Sequence, residues 1–151
     1  MLNYMKIIRA KAGHIPVVVC GASVIVVDEA GGILLHRRND NHLWAYPGGA
    51  VDVDESVEDA AIREIYEETG LKIKELSLFG VYSGKDMHHI YPNGDEISNV
   101  DIVFISRVFE GVLSPDNVES CELRFFSLND IPHDVSPPCR RAICDYVNSR
   151  E

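Results

Sequence analysis

Hydrophobic residues along the chain first follow the pattern of β-strands. Residues 17–27 form an apolar run rich in β-branched residues, and it ends at a turn sequence, Asp28-Glu-Ala-Gly-Gly32. A second apolar run starts at Ile33, so we interpret the two runs as a β-hairpin. Further strands are predicted at 76–82, 96–109 and 123–128, with a tight turn at 91–95.

A helical period replaces the strand pattern at 56–70 and at 136–149. Ser56 fits the N-cap of the first helix because an acidic residue follows three positions later, and Gly70 closes that helix. The second helix begins at Ser136-Pro137, with proline at its first position. Strands with one central and one closing helix predict an α+β or layered α/β/α sandwich domain.

The second half of the central helix is crowded with carboxylates. Glu64 and Glu68 are one turn apart and Glu67 is beside them, a spacing at which like charges destabilise a helix. Glu68 projects into the apolar arc that should pack on the sheet, and Glu64 lies at its border. That arc consists of Val57, Ala61, Ile62 and Ile65. These acids are either solvated and paired with Arg63, or they bind a divalent metal, for which Mg²⁺ is the natural choice.

The loop before this helix contains Pro47-Gly48-Gly49. Proline fixes the backbone, while the glycines permit positive φ and a close approach of the main chain to a ligand. A carbonyl group of this turn is therefore a candidate metal ligand, although an ordinary turn is the better explanation of an isolated PGG sequence.

Residues 49–71, GAVDVDESVEDAAIREIYEETGL, match the Nudix box at every specified position, and LLHRR and WAYPGG resemble what precedes that box. The chain thus resembles the Nudix (MutT-like) hydrolases. The resemblance implies one Nudix domain over 1–151, with 1–14 as an N-terminal extension and a mixed β-sheet between helices. It also implies Mg²⁺- or Mn²⁺-dependent hydrolysis of a nucleoside diphosphate linked to another group.

The resemblance assigns roles to the charged residues of the box. The adjacent pair Glu67 and Glu68 would bind metal. Glu64 would bind metal, or would position or deprotonate the attacking water. Glu55 and Arg63 would organise the site by pairing with each other.

The resemblance also implies ligands outside the helix. The carbonyl of Gly48 would join the metal shell, and Gly49 would border the substrate. Relatives often supply one more glutamate from the region before the last strand. Glu119 fits that placement better than Glu122, although either could be a surface acid.

Three further residues are candidates for substrate binding. Strand alternation sends Arg37 and Arg38 to opposite faces, and the position of Arg38 resembles a phosphate-contacting arginine in some relatives. A solvated charge at the strand end is the alternative. Trp44 could stack on a base, but core packing under the glycine loop is the simpler interpretation.

Composition limits the partners. With 14 basic and 24 acidic residues the formal net charge is −10, which argues against unassisted binding to a nucleic-acid polymer or an anionic membrane. The four cysteines form no C-x-x-C pair, and the first residues contain no apolar signal segment. We therefore expect a reduced, cytoplasmic protein. The small-molecule nucleotide substrate is what the Nudix resemblance implies. Many relatives form homodimers, but no feature of the sequence fixes the oligomeric state.

The sequence does not select one substrate. Met87 occupies the position at which the ADP-ribose type often has proline, and His88-His89 occupy the place of a tyrosine found in the dinucleoside-polyphosphate type. Nucleoside triphosphates, nucleotide sugars and ADP-ribose-like compounds all remain candidates. An inactive Nudix-fold nucleotide sensor is the main alternative, but sensors typically lose box carboxylates, and here all are present. A purely structural acidic domain would leave the glycine loop unexplained.

Overall fold

A computed structural model describes residues 3–150. Within that range there are three α-helices: α1 (Tyr4–Ala12), α2 (Val57–Thr69) and α3 (Pro137–Ser149). The strands are β1 (Val17–Val26), β2 (Ile33–Arg38), β3 (Trp44–Ala45), β4 (Gly48–Ala50), β5 (Lys72–Ile73), β6 (Ser77–Tyr82), β7 (His88–Ile90), β8 (Glu96–Ser106), β9 (Phe109–Glu110) and β10 (Ser120–Phe126). A 3₁₀ turn, Lys85–Met87, precedes β7.

The main sheet is mixed and has the strand order β4-β1-β8-β6, with β7 pairing on β8. β1 runs parallel to β8 and antiparallel to β4. A second sheet has the order β10-β2-β3, and β5 pairs with β9. The mixed α+β fold predicted from the sequence is therefore confirmed.

Two apolar cores lie on opposite faces of the main sheet, because successive residues of β1 point to opposite sides. On one face Ala61 and Ile65 of α2 pack with Val24. On the other face Ile143 and Tyr146 of α3 pack with residues that include Ile25. The sheet thus holds α2 in place from one side and leaves the other side for α3 and a cavity.

The predicted hairpin is wrong in its pairing. The turn at Asp28 closes as expected, but only one bridge, Val27 to Ile33, joins the two runs. β2 then enters the second sheet and pairs with β10. The physical reason is burial: Ile33, Leu34 and Leu35 are all fully buried, so this strand needs cover on both faces, which a two-stranded hairpin does not provide.

Two helical predictions also need correction. The helical period predicts Ile62 on the packed face of α2, but Ile62 is 37% exposed, whereas the neighbouring Ala60 is buried. The segment 1–14, predicted to be an N-terminal extension, contains α1, a helix with no buried residue. Its weak apolar character explains why hydrophobic periodicity did not reveal it. No helix within residues 3–150 is long and apolar enough to cross a membrane.

Candidate active site

Helix α2 begins and ends where the sequence predicts. The Oγ atom of Ser56 accepts a hydrogen bond from the N–H of Asp59 at 3.0 Å. Gly70 caps the other end at φ 79°, in the left-handed conformation that glycine tolerates best, and its N–H donates to the Tyr66 carbonyl at 2.9 Å. These two caps fix the register of the helix and hence the direction of every acidic side chain on it.

Arg63 is the centre of a hydrogen-bond network in which each of its five N–H donors is used. Two bonds form a fork on the carboxylate of Glu55, at 2.7 and 2.9 Å. The others reach the Ala50 carbonyl at 3.1 Å, Glu64 at 2.8 Å and Glu67 at 3.3 Å. Hydrogen bonding to Glu55 raises the pKa of Arg63, and the same fork lowers the pKa of Glu55. This network ties the loop before α2 to the acidic face of that helix.

Glu68 is the most deeply buried carboxyl group of the box, with 3% of its surface exposed. Its Oε2 atom accepts one hydrogen bond, from the N–H of Gly48 at 3.2 Å. Burial holds the pKa of Glu68 well above its usual value, and the nearby charges of Glu64 and Glu119 raise it further. Carboxylates from two separate segments of the chain therefore meet around this side chain.

The structure places Glu119 and Glu122 in different surroundings. Glu119 lies close enough to Glu68 to raise its pKa, although the two residues are far apart in sequence. Glu122 instead faces Arg124 at 4.0 Å and lies opposite Arg37 in the pairing of β10 with β2. Glu119 therefore lies beside a box carboxyl group, whereas Glu122 lies among arginines of the second sheet.

The box carboxylates are not gathered around one point. Glu67 is 51% exposed, and Glu64 and Glu67 each direct one oxygen to Arg63. Within residues 3–150 no three His, Cys, Asp or Glu side chains stand in a ready-made metal-binding arrangement. Because adjacent carboxylates repel one another, Arg63 is the partner that they take here. Burial raises the pKa of Glu64, and Arg63 bonds the Oε1 atom of this carboxyl group.

The two glycines of the loop are required for close packing. Neither Gly48 nor Gly49 has a positive φ, so the expected backbone reason is wrong. A Cβ atom on Gly48 would collide with the Ser23 side chain and lie 2.7 Å from the Ala22 carbonyl. One on Gly49 would collide with the carboxyl group of Glu64, 2.5 Å from its Oε1. The loop can approach β1 and α2 only because these side chains are missing.

Among the predicted substrate-binding residues, only one arginine faces the main cavity. Arg38 lines it, with its guanidinium bonded to both carboxylate oxygens of Asp40 at 2.9 and 2.7 Å. Arg37 points away and donates to the His42 carbonyl. Trp44 is buried and packs edge-on against Phe126, which agrees with the core-packing interpretation.

The cavity, about 620 Å³, lies on the α3 side of the main sheet and borders the glycine loop. Its walls include His89 and Tyr91, whose rings are 4.6 Å apart. The floor includes Asp101, whose carboxyl group accepts hydrogen bonds from Ser23 at 2.8 Å and from Tyr46 at 3.0 Å. The sequence does contain a signal for Asp101, an acid that stands between the apolar residues Val100 and Ile102 of β8.

His36 joins the cavity to the acidic cluster, and sequence reasoning missed it. Its Nε2 atom lies 4.0 Å from Oε2 of Glu68, and its Nδ1 atom bonds Ser120 at 2.5 Å. Burial, with a smaller effect of Arg38, lowers the pKa of His36 to about 4. The ring is therefore neutral at pH 7. A histidine within an apolar strand was the available signal.

The structure has a mixed sheet between helices, and an arginine–glutamate network lies where a glycine loop meets an acidic helix. These features are those of the MutT-like hydrolases. The NUDIX domain family matches residues 19–146. The chain belongs to the Nudix hydrolase family, whose members generally use divalent metal ions.

Relatives and solved structures agree with this assignment. The chain is 35% identical over 134 residues to a Bacillus subtilis protein provisionally named an 8-oxo-dGTP diphosphatase, covering 87% of this chain and 81% of that one. It is 43% identical over 110 residues to the ADP-ribose pyrophosphatase of Methanocaldococcus jannaschii, covering 71% of this chain but only 61% of the relative. The crystal structure of a MutT NUDIX hydrolase from Burkholderia pseudomallei superposes with a TM-score of 0.71 at 30% identity, over 84% of this chain and 96% of that one.

Proposed function

We propose that this chain is a divalent-metal-dependent pyrophosphohydrolase that cleaves a diphosphate bond in a small nucleoside diphosphate derivative. The observation that carries the proposal is the buried carboxyl group of Glu68. Glu64 and Glu119 lie close enough to raise its pKa, and among residues 3–150 the one basic side chain within 4.0 Å of it is the neutral His36. A buried charge of this kind is costly unless a cation compensates for it.

The donor chemistry fits a hard divalent cation. Carboxylate oxygens of Glu64, Glu67 and Glu68 are the proposed ligands, with Glu119 and the carbonyl of Gly48 as additions. Mg²⁺ and Mn²⁺ prefer such oxygen ligands, and Mg²⁺ commonly shares its shell with substrate phosphates. When bound there, the cation would neutralise charge on the phosphate oxygens and lower the pKa of a bound water.

The protein groups around the cluster have proposed roles of their own. Arg63, fixed by its fork on Glu55, holds one oxygen of Glu64 and leaves the other free. Glu64 is then positioned to orient the attacking water or accept its proton, a role that its raised pKa suits. Arg38 and Gly49 border the cavity and would contact phosphate. Arg37 and Trp44 lie outside the cavity, so we assign them no substrate contact.

The named activities of the relatives support two substrate types, a nucleoside triphosphate such as an oxidised one, and an ADP-ribose-like compound. A nucleotide sugar is a third. The proposal also includes one catalytic domain over 1–151 and a cytoplasmic location, where four unpaired cysteines would stay reduced.

The test is hydrolysis by the purified protein with Mg²⁺ or Mn²⁺. A panel of nucleoside triphosphates, nucleotide sugars and ADP-ribose is incubated with enzyme, and phosphate is measured after phosphatase treatment. We expect Glu68→Gln to lower kcat by at least about 100-fold, on the scale of losing one preorganised electrostatic contact. The matched control is Glu58→Gln, on the exposed first turn of the same helix, which should leave kcat unchanged.

The alternative function is a nucleotide sensor. It would show ligand binding by calorimetry with no turnover on any substrate of the panel, and that result would reject the hydrolase. The complete set of box carboxylates and their network with Arg63 favour catalysis.

A further inference from the structure

We propose that Asn99 and Asp101 of β8 bind the base of the nucleotide and select a guanine-type edge, in which a carbonyl oxygen stands beside two N–H donors. The inference rests on the proposed function, because it gives a binding role to the part of the same cavity that faces away from the acidic cluster.

The order of strands sets the distance from the cluster to these residues. Gly48 of β4 pairs with Ser23 of β1, and Gly21 of β1 pairs with Asp101 of β8. Neighbouring strands are about 4.8 Å apart, so β8 lies roughly 10 Å from the strand that contacts Glu68. Phosphates held at the β4 edge would place the sugar over β1 and the base over β8.

Asp101 offers acceptors that the protein does not fill. It is 4% exposed, and each of its oxygens accepts one hydrogen bond, from Ser23 and from Tyr46. Within residues 3–150 no Lys, Arg or His nitrogen forms an ion pair with it. A carboxylate can accept about four hydrogen bonds, so both oxygens keep capacity for N–H donors. Burial raises the pKa of Asp101, whereas both protein partners donate and so favour the charged, accepting form.

Asn99 lies beside this carboxyl group on the same face of β8. Its amide lines the cavity, and it makes no side-chain hydrogen bond within the described part of the chain. Gly21 keeps the space above both groups open, since a Cβ there would lie 3.1 Å from Asn99 Oδ1 and 3.3 Å from Asp101 Oδ1. The amide and the carboxylate therefore point towards one shared space.

This pair matches one base edge. The Asn99 N–H would donate to the carbonyl oxygen of guanine, and Asp101 would accept from the ring N–H and the 2-amino group. Adenine has no carbonyl oxygen, and uracil has one N–H between two carbonyls, so neither supplies two donors to the carboxylate. Guanine oxidised at carbon 8 keeps the same edge and would bind equally well.

The experiment compares guanosine and inosine triphosphates, which differ only in the 2-amino group. The kcat/KM of each is measured with Mg²⁺, and the binding of GMP and IMP is measured by calorimetry without divalent ions. We expect guanosine to be preferred about tenfold in both measurements, as for a lost hydrogen bond to a buried charge. Asp101→Asn should reduce this ratio to within about twofold. The control Asp130→Asn, at an exposed position, should leave it unchanged.

A second variant separates recognition from folding. Asn99→Ala should lower kcat/KM equally for the guanosine and inosine triphosphates, because both carry the carbonyl oxygen. The ratio of the two kcat/KM values should therefore stay unchanged. Equal kcat/KM for the two nucleotides in the wild type would overturn the base assignment, even though turnover itself would uphold the proposed function. If Asp101→Asn lowers kcat/KM equally for both nucleotides and leaves their ratio unchanged, Asp101 only supports Tyr46. That result would also overturn the base assignment. A GMP preference lost in Asp101→Asn, with no turnover of any nucleotide, would support base binding and reject the hydrolase.

Discussion

The Nε2 atom of His36 lies 4.0 Å from the Oε2 atom of Glu68, yet the histidine provides no counter-charge. Burial lowers the pKa of His36 to about 4, so the ring is neutral at pH 7 and is held by its bond to Ser120. The guanidinium of Arg63, on the same helix, is occupied by other carboxylates. The fold thus keeps a buried acid without local compensation, which is a cost to stability that an external cation would relieve.

A divalent cation should therefore stabilise the wild type. At 100 times Kd, binding to the folded state alone contributes about 2.7 kcal/mol, and about 2–4 °C in Tm is expected per kcal/mol for a chain of this size. Thermal melting with saturating Mg²⁺ or Mn²⁺ measures this shift.

The Glu68→Gln variant serves as the comparison for that measurement. Without metal it should melt above the wild type at pH 7, because glutamine keeps an acceptor for the Gly48 N–H and removes the repulsion from Glu64 and Glu119. With metal its Tm should hardly change. Equal metal shifts in both proteins would locate the bound ion elsewhere.

The fork between Arg63 and Glu55 predicts that even a conservative change is harmful. Lysine has three donors on one atom and cannot bond both oxygens of Glu55 while holding Glu64. Arg63→Lys should cost about 1–3 kcal/mol in urea unfolding, the range of buried hydrogen bonds to charged groups. Arg141→Lys tests a comparable pair on the surface, with Asp86, and should stay within about 0.5 kcal/mol. Similar losses at both sites would contradict the central role of Arg63.

Replacing the two loop glycines by alanine should change different properties, stability for Gly48 and activity for Gly49. In Gly48→Ala the new methyl group meets Ser23 and the backbone oxygen of Ala22, which cannot move without distorting β1, so Tm should fall. In Gly49→Ala it meets the end of the Glu64 side chain, which can rotate away. Activity should then fall while Tm stays near the wild type. Melting curves and kcat/KM for the two variants give the comparison, and a reversed pattern would refute it.

Sequence patterns predicted the central helix because its signals are local. The N-cap at Ser56, the closing Gly70 and the inward direction of Glu68 all follow from spacing along one helix, and the structure confirms each. The pairing of the first two strands did not follow, because burial on both faces of residues 33–35 depends on which distant segments cover them. Periodicity indicates a strand but not its neighbour.

The same distinction between local and non-local contacts applies to the residues of the site. The network of Arg63 lies within a short segment, and the residue types at that spacing indicated it. His36, Ser23 and Asp101 come together only through strand pairing between β1, β8 and the second sheet, so their contacts are non-local. A polar residue beside apolar ones within a predicted strand was the one available signal for His36 and Asp101.

Helix α1 gives the last prediction, because polar contacts hold it over the cavity. Arg9 donates to the carbonyls of Glu96 at 2.6 Å, Ile15 at 2.8 Å and Gly13 at 3.1 Å, and it lines the cavity together with Lys6.

Since α1 buries no residue, Arg9→Ala should release the helix with little change in Tm. Amide exchange over residues 4–12 should accelerate about tenfold or more, given about 0.5–1.5 kcal/mol per hydrogen bond. KM should rise more than kcat falls, because α1 lines the cavity proposed to hold the substrate and does not touch the acidic cluster. Lys11→Ala, an exposed change on the same helix, should alter neither quantity, and unchanged exchange in Arg9→Ala would show that other contacts hold α1 in place.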